Sequence, residues 1–227
     1  MKRLLPLVAT AIAVLLVGAA PATADDDDFR CVGAATGTFD NVVVPRGATC
    51  TLSNSVVRGN VVVHEQGALY AITNDIFGNV EATKPRFVWL DNNQVGGRVW
   101  AKETGPAPDA LPIWFCRNDV AGNIQVEKIV ASFGIILGFG AGCPGAGGGN
   151  TVGGNLVVLE NVIGPTIGGL IVVGNQVREN LQVFKNMGPG PKHVNTNIVG
   201  ANLQCFENEP PFAGGPNVAA KAEGQCF

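Results

Sequence analysis

The stretch from Asn60 to Ala101 contains three copies of one short pattern: Asn60-Val61-Val62-Val63, Asn79-Val80-Glu81-Ala82 and Arg98-Val99-Trp100-Ala101. Each copy begins 19 residues after the previous one, and a glycine precedes each copy. A constant period near 20 residues, with β-rich segments and Gly-Asn corners, is typical of a solenoid of stacked β-strands. We therefore predict an all-β parallel β-helix in which each copy contributes a strand to one coil.

The pattern extends over most of the chain, and its steps become longer in the second half. Its first residue recurs at Asn41, Asn60, Asn79, Arg98, Asn123, Asn155, Asn180 and Asn202. The steps are 19, 19, 19, 25, 32, 25 and 22 residues. One and three positions later the residues are nearly all aliphatic, whereas the position between them is mixed. This alternation places the aliphatic residues inside and the mixed ones outside about eight coils.

Two further columns of equivalent residues support this alignment. Five positions before the first residue of the pattern the chain has Thr36, Ser55, Asn74, Asn93, Asn118, Asn150, Asn175 and Asn197. Stacked amides of this kind hydrogen-bond along a solenoid axis. Five positions after it the chain has Arg46, Glu65, Lys84, Glu103, Lys128, Glu160, Lys185 and Glu207. The sign alternates at every step, which predicts attraction between successive coils and repulsion when a coil slips by one step.

The N-terminus has the features of a secretory signal peptide. Lys2 and Arg3 precede an apolar run over residues 4–20, and small residues lead to a predicted cleavage site after Ala24. A retained membrane anchor is the alternative, although Pro6 interrupts the run. We therefore predict a secreted, extracellular protein.

The remaining chain divides into three predicted segments. Residues 25–30 form an acidic flexible N-terminus, residues 31–205 the β-helix, and residues 206–227, which lack the repeat, a C-terminal cap. Removal of Lys2 and Arg3 leaves 13 basic and 18 acidic residues, a net charge of −5. Because a nucleic-acid interface requires a basic face, we expect no nucleic-acid partner.

Six cysteines follow the predicted cleavage site, an even number that suggests disulfides in an exported chain. The repeat brings Cys31 and Cys50 to equivalent places on adjacent coils, about 4.8 Å apart, which a disulfide tolerates. We predict the pairs Cys31–Cys50, Cys116–Cys143 and Cys205–Cys226, the last as a staple of the cap. The cysteines form no Cys-x-x-Cys or Cys/His cluster, so we expect no metal and no cofactor.

The Asn-x-Val-x-Gly-Asn-Val-x-Val coil, its variable length and its asparagine column resemble the right-handed, single-stranded parallel β-helix proteins of the pectate-lyase-like superfamily. The resemblance covers about residues 31–205. It implies the fold but no single function, since secreted members include polysaccharide lyases and hydrolases as well as adhesins. A polygalacturonase-like hydrolase would carry Gly-His-Gly and Arg-Ile-Lys motifs, and this chain contains neither.

Candidate sites follow from the outward columns. Tyr70, Trp89 and Trp114 are equivalent residues with apolar neighbours, so we expect three outward rings in a row that bind a sugar or a partner protein. The alternative is that the apolar loop within residues 132–149 covers them. For catalysis the only candidates are Asp75 and Asp119, two coils apart, at a distance near the upper limit for an inverting glycosidase.

Three functional hypotheses remain after the sequence is considered. The leading one is a non-enzymatic module with a binding or structural role at the cell surface, its ligand a polysaccharide or a surface protein. The second is a polysaccharide lyase or glycoside hydrolase that uses Asp75 and Asp119. The third is a surface structural protein that assembles by end-to-end stacking. The sequence leaves the ligand and the oligomeric state open.

Overall fold

A computed structural model describes residues 28–103, 112–140, 143, 148–165 and 168–226, with the predicted signal peptide outside this range. These residues contain 28 strands and no helix. In chain order the strands are β1 Asp28–Arg30, β2 Gly33–Ala35, β3 Thr38–Phe39, β4 Asn41–Val44, β5 Thr49–Ser53, β6 Val56–Val57, β7 Val61–Val63, β8 Ala68–Ile72, β9 Asp75–Ile76, β10 Val80–Thr83, β11 Phe87–Asp91, β12 Gln94–Val95, β13 Val99–Lys102 and β14 Ile113–Cys116. They continue with β15 Asp119–Val120, β16 Ile124–Glu127, β17 Val130–Ala131, β18 Ile135–Gly138, β19 Thr151–Val152, β20 Leu156–Leu159, β21 Val162–Ile163, β22 Leu170–Val173, β23 Gln176–Val177, β24 Leu181–Phe184, β25 Lys192–Asn195, β26 Ile198–Phe206, β27 Ala213–Gly214 and β28 Val218–Gly224.

The strands form a parallel β-solenoid of about eight turns, which confirms the predicted fold class. One coil contains a strand of three to four residues such as β7, a strand such as β8 on the opposite side, and a two-residue strand such as β9. The first and third kinds join in a 17-stranded sheet, and the second kind forms a sheet of nine strands. A third sheet contains only β17 and β21.

The register between coils follows the predicted columns, including across the insertions. Val42 pairs with Val61, Val99 with Ile124 and Leu181 with Leu203. The aliphatic columns point inward and are fully buried, because period-two alternation directs successive side chains to opposite faces of a strand. Two of the longer steps contain an additional short strand, β17 or β21. The expected loop within residues 132–149 is partly wrong, because Ile135–Gly138 form β18, which pairs with β14 and β22 in the nine-stranded sheet.

Both ends of the solenoid depart from the predicted segments. Residues 25–30 were expected to be flexible, but Asp28–Arg30 form β1, which pairs in register with β4. The cap was expected to lack the repeat, yet β28 continues the large sheet by pairing with β26, with one register shift. Asn217 and Gln225 also extend two asparagine columns into the cap. Side-chain amides and strand pairing therefore continue past the recognisable sequence pattern.

The alternating charges lie at one corner of the coil, where the backbone is left-handed. Lys84, Glu103, Lys128, Glu160, Lys185 and Glu207 have φ between 50° and 55°. Ion pairs join Arg46 to Glu65 at 3.5 Å and Lys84 to Glu103 at 3.9 Å. The other neighbours in this column, all of them described residues, form no ion pair. The predicted attraction between successive coils therefore takes the form of an ion pair at two of the seven steps.

Three columns of amides stabilise the corners. The buried ladder contains Asn74, Asn93, Asn118, Asn150, Asn175 and Asn197. The amide oxygen of each member accepts a hydrogen bond from the backbone N–H of the equivalent residue on the preceding coil. The outer ladder contains Asn41, Asn60, Asn79, Asn123, Asn155, Asn180 and Asn202. A third ladder of Asn161, Asn186, Asn208 and Gln225 was not predicted. These bonds satisfy backbone donors that the corners would otherwise leave unpaired.

The disulfides join the predicted pairs. Cys31–Cys50 connects adjacent coils with a Cα–Cα distance of 5.4 Å. Cys116–Cys143 and Cys205–Cys226 each have a Cα–Cα distance of 5.6 Å. Three disulfides and no free cysteine among the described residues are typical of an oxidising, extracellular environment.

Candidate functional site

Tyr70, Trp89 and Trp114 occupy one column on β8, β11 and β14, as the alignment predicted; they are called the aromatic row below. The ring centroids of Tyr70 and Trp89 are 6.0 Å apart, and those of Trp89 and Trp114 are 5.5 Å apart with the planes nearly perpendicular. Phe87 packs against Tyr70 at 4.5 Å. The rings therefore contact one another in the edge-on and tilted arrangements that aromatic pairs favour.

The aromatic row is half-buried, because its C-terminal end packs against other apolar groups. Trp89 and Trp114 contact a small cluster formed by Ile136 and the Cys116–Cys143 disulfide. The indole N–H groups of both tryptophans are buried, and no described residue accepts a hydrogen bond from them. Ile136 is the residue next to Trp114 in the same column, and the disulfide lies on the same face, so the rings present only part of their surface to a ligand.

A second row of outward residues lies on the two-residue strands. It contains Asp75, Gln94, Asp119, Thr151 and Gln176 on five successive coils, and it is called the polar row below. All five side chains are exposed. The two carboxylates considered for catalysis therefore lie in this row, two coils and about 9–10 Å apart, with Gln94 between them.

Beside the polar row, a column of small residues lines a shallow cleft. Gly96, Ala121 and Gly153 follow one another on adjacent coils. Glycine is needed at Gly96 because the coils approach closely there: an added Cβ would lie 2.5 Å from the Phe77 carbonyl oxygen. The cleft has a volume of about 190 Å³ and is lined by Asp75, Gln94 and Asp119 on one side. Phe77 closes one end with 65% of its surface exposed.

Sequence reasoning missed Phe77 and the small residues. The signal was present, since Phe77, Gly96, Ala121 and Gly153 all lie two positions before the first residue of the repeat pattern. A large exposed ring next to three small residues produces a depression in the surface. The sequence shows this only when equivalent residues of successive coils are compared.

The polar row differs from the neighbouring outward face in its hydrogen bonding. On that face Arg98 pairs with Glu81 at 2.8 Å, Trp100 donates to Glu127 at 3.1 Å, and Gln182 donates to Gln204 at 3.0 Å. The side chains of the polar row form no hydrogen bond or ion pair with any described residue. Their donors and acceptors are therefore available to a ligand.

Arg117 borders the polar row but is already engaged. Its guanidinium donates three hydrogen bonds of 2.7–3.0 Å to the buried carboxylate of Asp91. These bonds raise the pKa of Arg117, so the guanidinium stays protonated. It can attract an anionic group near the cleft, but it is not a free base for proton abstraction.

A metal or histidine-based site finds no support in the part of the chain that the structure describes. No group of three or more His, Cys, Asp or Glu side chains there could hold a metal ion. His193 extends the column of the aromatic row, whereas His64 follows β7 on the other sheet. The two histidines therefore cannot act together within one chain.

Comparisons with protein-family models, with curated proteins and with solved structures find no match to this chain. Among the described residues no helix has the length and apolar character needed to cross a membrane.

Proposed function

We propose that this protein is a secreted, non-enzymatic β-helix module that binds a polysaccharide at the cell surface, with the cleft beside the polar row as its ligand site. We also propose that it is a right-handed member of the pectate-lyase-like superfamily, exported by the signal peptide of residues 1–24. The three disulfides and the coil pattern support these proposals.

The observation that carries the proposal is the run of five exposed polar side chains without partners, Asp75 to Gln176, on successive coils. Adjacent coils are about 4.8 Å apart, so the row offers hydrogen-bonding groups at regular intervals comparable to the length of a sugar ring. Carboxylate oxygens accept hydrogen bonds from hydroxyl groups, and the amide of Gln94 both donates and accepts. A chain of sugars that runs along the solenoid axis would meet one such group per coil.

Phe77 and the small residues complete the proposed site. The exposed face of Phe77 offers an apolar platform for the C–H face of a sugar ring. Gly96 and Ala121 line the same cleft beyond Phe77, so the next rings of the ligand would meet only small residues there. This cleft is better suited to a sugar than the aromatic row, whose two indole N–H groups are buried.

The test is affinity electrophoresis or calorimetry of the secreted protein against a panel of neutral and acidic polysaccharides. We expect Phe77→Ala to weaken binding roughly two- to tenfold, the range that an aromatic contact of about 0.5–1.5 kcal/mol gives. Gln94→Ala should weaken it as well. Phe206→Ala is the matched control, because Phe206 is an exposed ring on the other outward face. Unchanged binding in Phe77→Ala and Gln94→Ala would remove the cleft from the proposal.

A surface-protein ligand or a site at the aromatic row remains the alternative, and one variant separates the two surfaces. Tyr70 is the most N-terminal ring of the row and lies outside the cluster at Cys116–Cys143. If Tyr70→Ala abolishes binding while Phe77→Ala does not, the ligand binds the aromatic row.

A polysaccharide hydrolase or lyase is the second candidate function, because Asp75 and Asp119 both line the cleft. Their separation of about 9–10 Å is close to the upper limit for an inverting pair of carboxylates. The assay measures new reducing ends and unsaturated products from each polysaccharide that binds. If the protein cleaves a polysaccharide, and Asp119→Asn loses this activity but retains binding, the protein is an enzyme and not only a binding module.

A further inference from the structure

The large sheet ends in β1 on one side and in β28 on the other. Within the described residues β1 pairs only with β4, and β28 pairs only with β26. Each of these strands therefore leaves one row of backbone N–H and C=O groups without a strand partner. Such an edge is a template for a strand from another molecule.

The residues at the two edges occupy the same three columns of the solenoid. At the N-terminal edge, Asp28, Phe29 and Arg30 are in register with Asn41, Val42 and Val43. At the C-terminal edge, Lys221, Ala222 and Glu223 are in register with Asn202, Leu203 and Gln204. The coils between them keep these columns aligned. A second copy stacked on the end of the first would therefore bring residues 221–223 directly against residues 28–30.

We propose that copies of this protein assemble head to tail, with β28 of one copy pairing in parallel with β1 of the next. In this register Lys221 faces Asp28 of the next copy, and Glu223 faces its Arg30. Both contacts are between opposite charges. A slip of two residues in either direction opposes like charges, Lys221 to Arg30 or Glu223 to Asp28, so the charges favour one register.

The sizes of the central side chains favour the same arrangement. Phe29 is 39% exposed at the N-terminal edge, and its ring stacks on Phe39 with centroids 4.3 Å apart. Ala222 occupies the same inward column at the other end and is exposed. A large residue from one end meets a small one from the other. Two N-terminal edges would instead oppose two Phe29 rings, and two C-terminal edges would leave a space between two alanines.

The proposed contact is confined to the edge of the large sheet. Beside β28, Phe212 and Cys226 are buried and close the remainder of the core. The contact joins different surfaces of the two copies, so each copy keeps one free end and assembly continues as an open row. We therefore expect a weak association whose extent depends on concentration.

The experiment is sedimentation velocity of the secreted full-length product over a range of concentrations. The N-terminal swap is Asp28→Lys with Arg30→Glu, and the C-terminal swap is Lys221→Glu with Glu223→Lys. The C-terminal swap preserves the ion pair that Lys221 and Glu223 form within one chain. We expect either swap alone to raise the concentration needed for oligomers roughly tenfold, the effect of two ordinary exposed ion pairs. The two swaps combined should restore assembly.

Restoration by the combined swaps is the decisive result. If two C-terminal edges met antiparallel instead, Lys221 of one copy would face Glu223 of the other, and this contact would stay complementary after the C-terminal swap alone. Assembly that neither swap changes therefore overturns the head-to-tail arrangement, and a single monomeric species at every concentration overturns assembly altogether. Ala222→Phe gives an independent check: it fills the place of the incoming Phe29 at an exposed position, so it should block assembly and leave the unfolding temperature unchanged.

Discussion

Asn118 offers the most direct test of how the solenoid is stabilised. Its side chain is 2% exposed and lies in the middle of the buried ladder. Its amide oxygen accepts the backbone N–H of Asn93 at 3.1 Å and the side-chain amide of Asn93 at 2.9 Å. Its own amide donates to the Leu90 carbonyl and to Asn150, both at 3.0 Å. Asn118→Ala removes all four bonds at once.

The expected loss of stability follows from the hydrogen-bond donors that Asn118→Ala leaves unpaired. Two buried donors of Asn93 lose their acceptor, and a buried donor without a partner costs about 1–3 kcal/mol. We therefore expect Asn118→Ala to lower the free energy of unfolding by roughly 4 kcal/mol. Asn155→Ala in the outer ladder is the matched control, because the oxygen of Asn155 also accepts two bonds, from the backbone and side chain of Asn180. That site is reached by water, so we expect a loss of only about 1 kcal/mol.

Urea unfolding of the oxidised protein, followed by circular dichroism, measures both losses. The two variants delete the same side-chain atoms, so their difference isolates burial of the ladder. If Asn118→Ala costs less than about 1 kcal/mol, or no more than Asn155→Ala, the buried ladder does not stabilise the coil in the way described.

Three further predictions concern other parts of the fold. Lys192 is buried and donates to three backbone carbonyls, so Lys192→Met should cost roughly 2–4 kcal/mol at pH 7. Burial lowers the pKa of Lys192 from 10.5, so between the folded pKa and 10.5 the unfolded chain binds more protons than the folded one. The free energy of unfolding, measured by urea titration, should therefore rise with pH across that window in the wild type. The Lys192→Met variant should lack this rise. Replacing Cys116 and Cys143 by alanine should remove the disulfide that packs against Trp89 and Trp114 and shift tryptophan fluorescence to longer wavelength, and an unchanged spectrum would contradict that packing. Gly97→Ala should lower the thermal unfolding midpoint by several degrees, because its Cβ would lie 2.8 Å from the Gly78 carbonyl oxygen; an unchanged midpoint would show that the corner relaxes.

The fold could be predicted because the same short pattern of inward and outward residues recurs in each coil. The alternation around Val61, Val80 and Val99 assigns an inner and an outer face to every strand without knowledge of any distant contact. The constant step then sets the register between coils. It also placed Cys31 and Cys50 on adjacent coils, so their disulfide was predicted correctly, although the residue in register with Cys50 is Gly33 and not Cys31 as expected. The third amide ladder, Asn161 to Gln225, was harder to find, because it begins late in the chain and ends in the cap.

The character of the outer surface was decided by tertiary structure. An outward position in the sequence pattern does not specify whether a side chain meets solvent, a neighbouring coil or a loop. Trp89 and Trp114 point outward as predicted, yet they are half-buried where they pack against Ile136 and the Cys116–Cys143 disulfide. Asp75 and Asp119 point outward by the same rule, and they remain without partners beside the ring of Phe77. The sequence by itself determined the coil, because its pattern is local and periodic; which outer columns are free to bind was decided only by packing between residues distant in the chain.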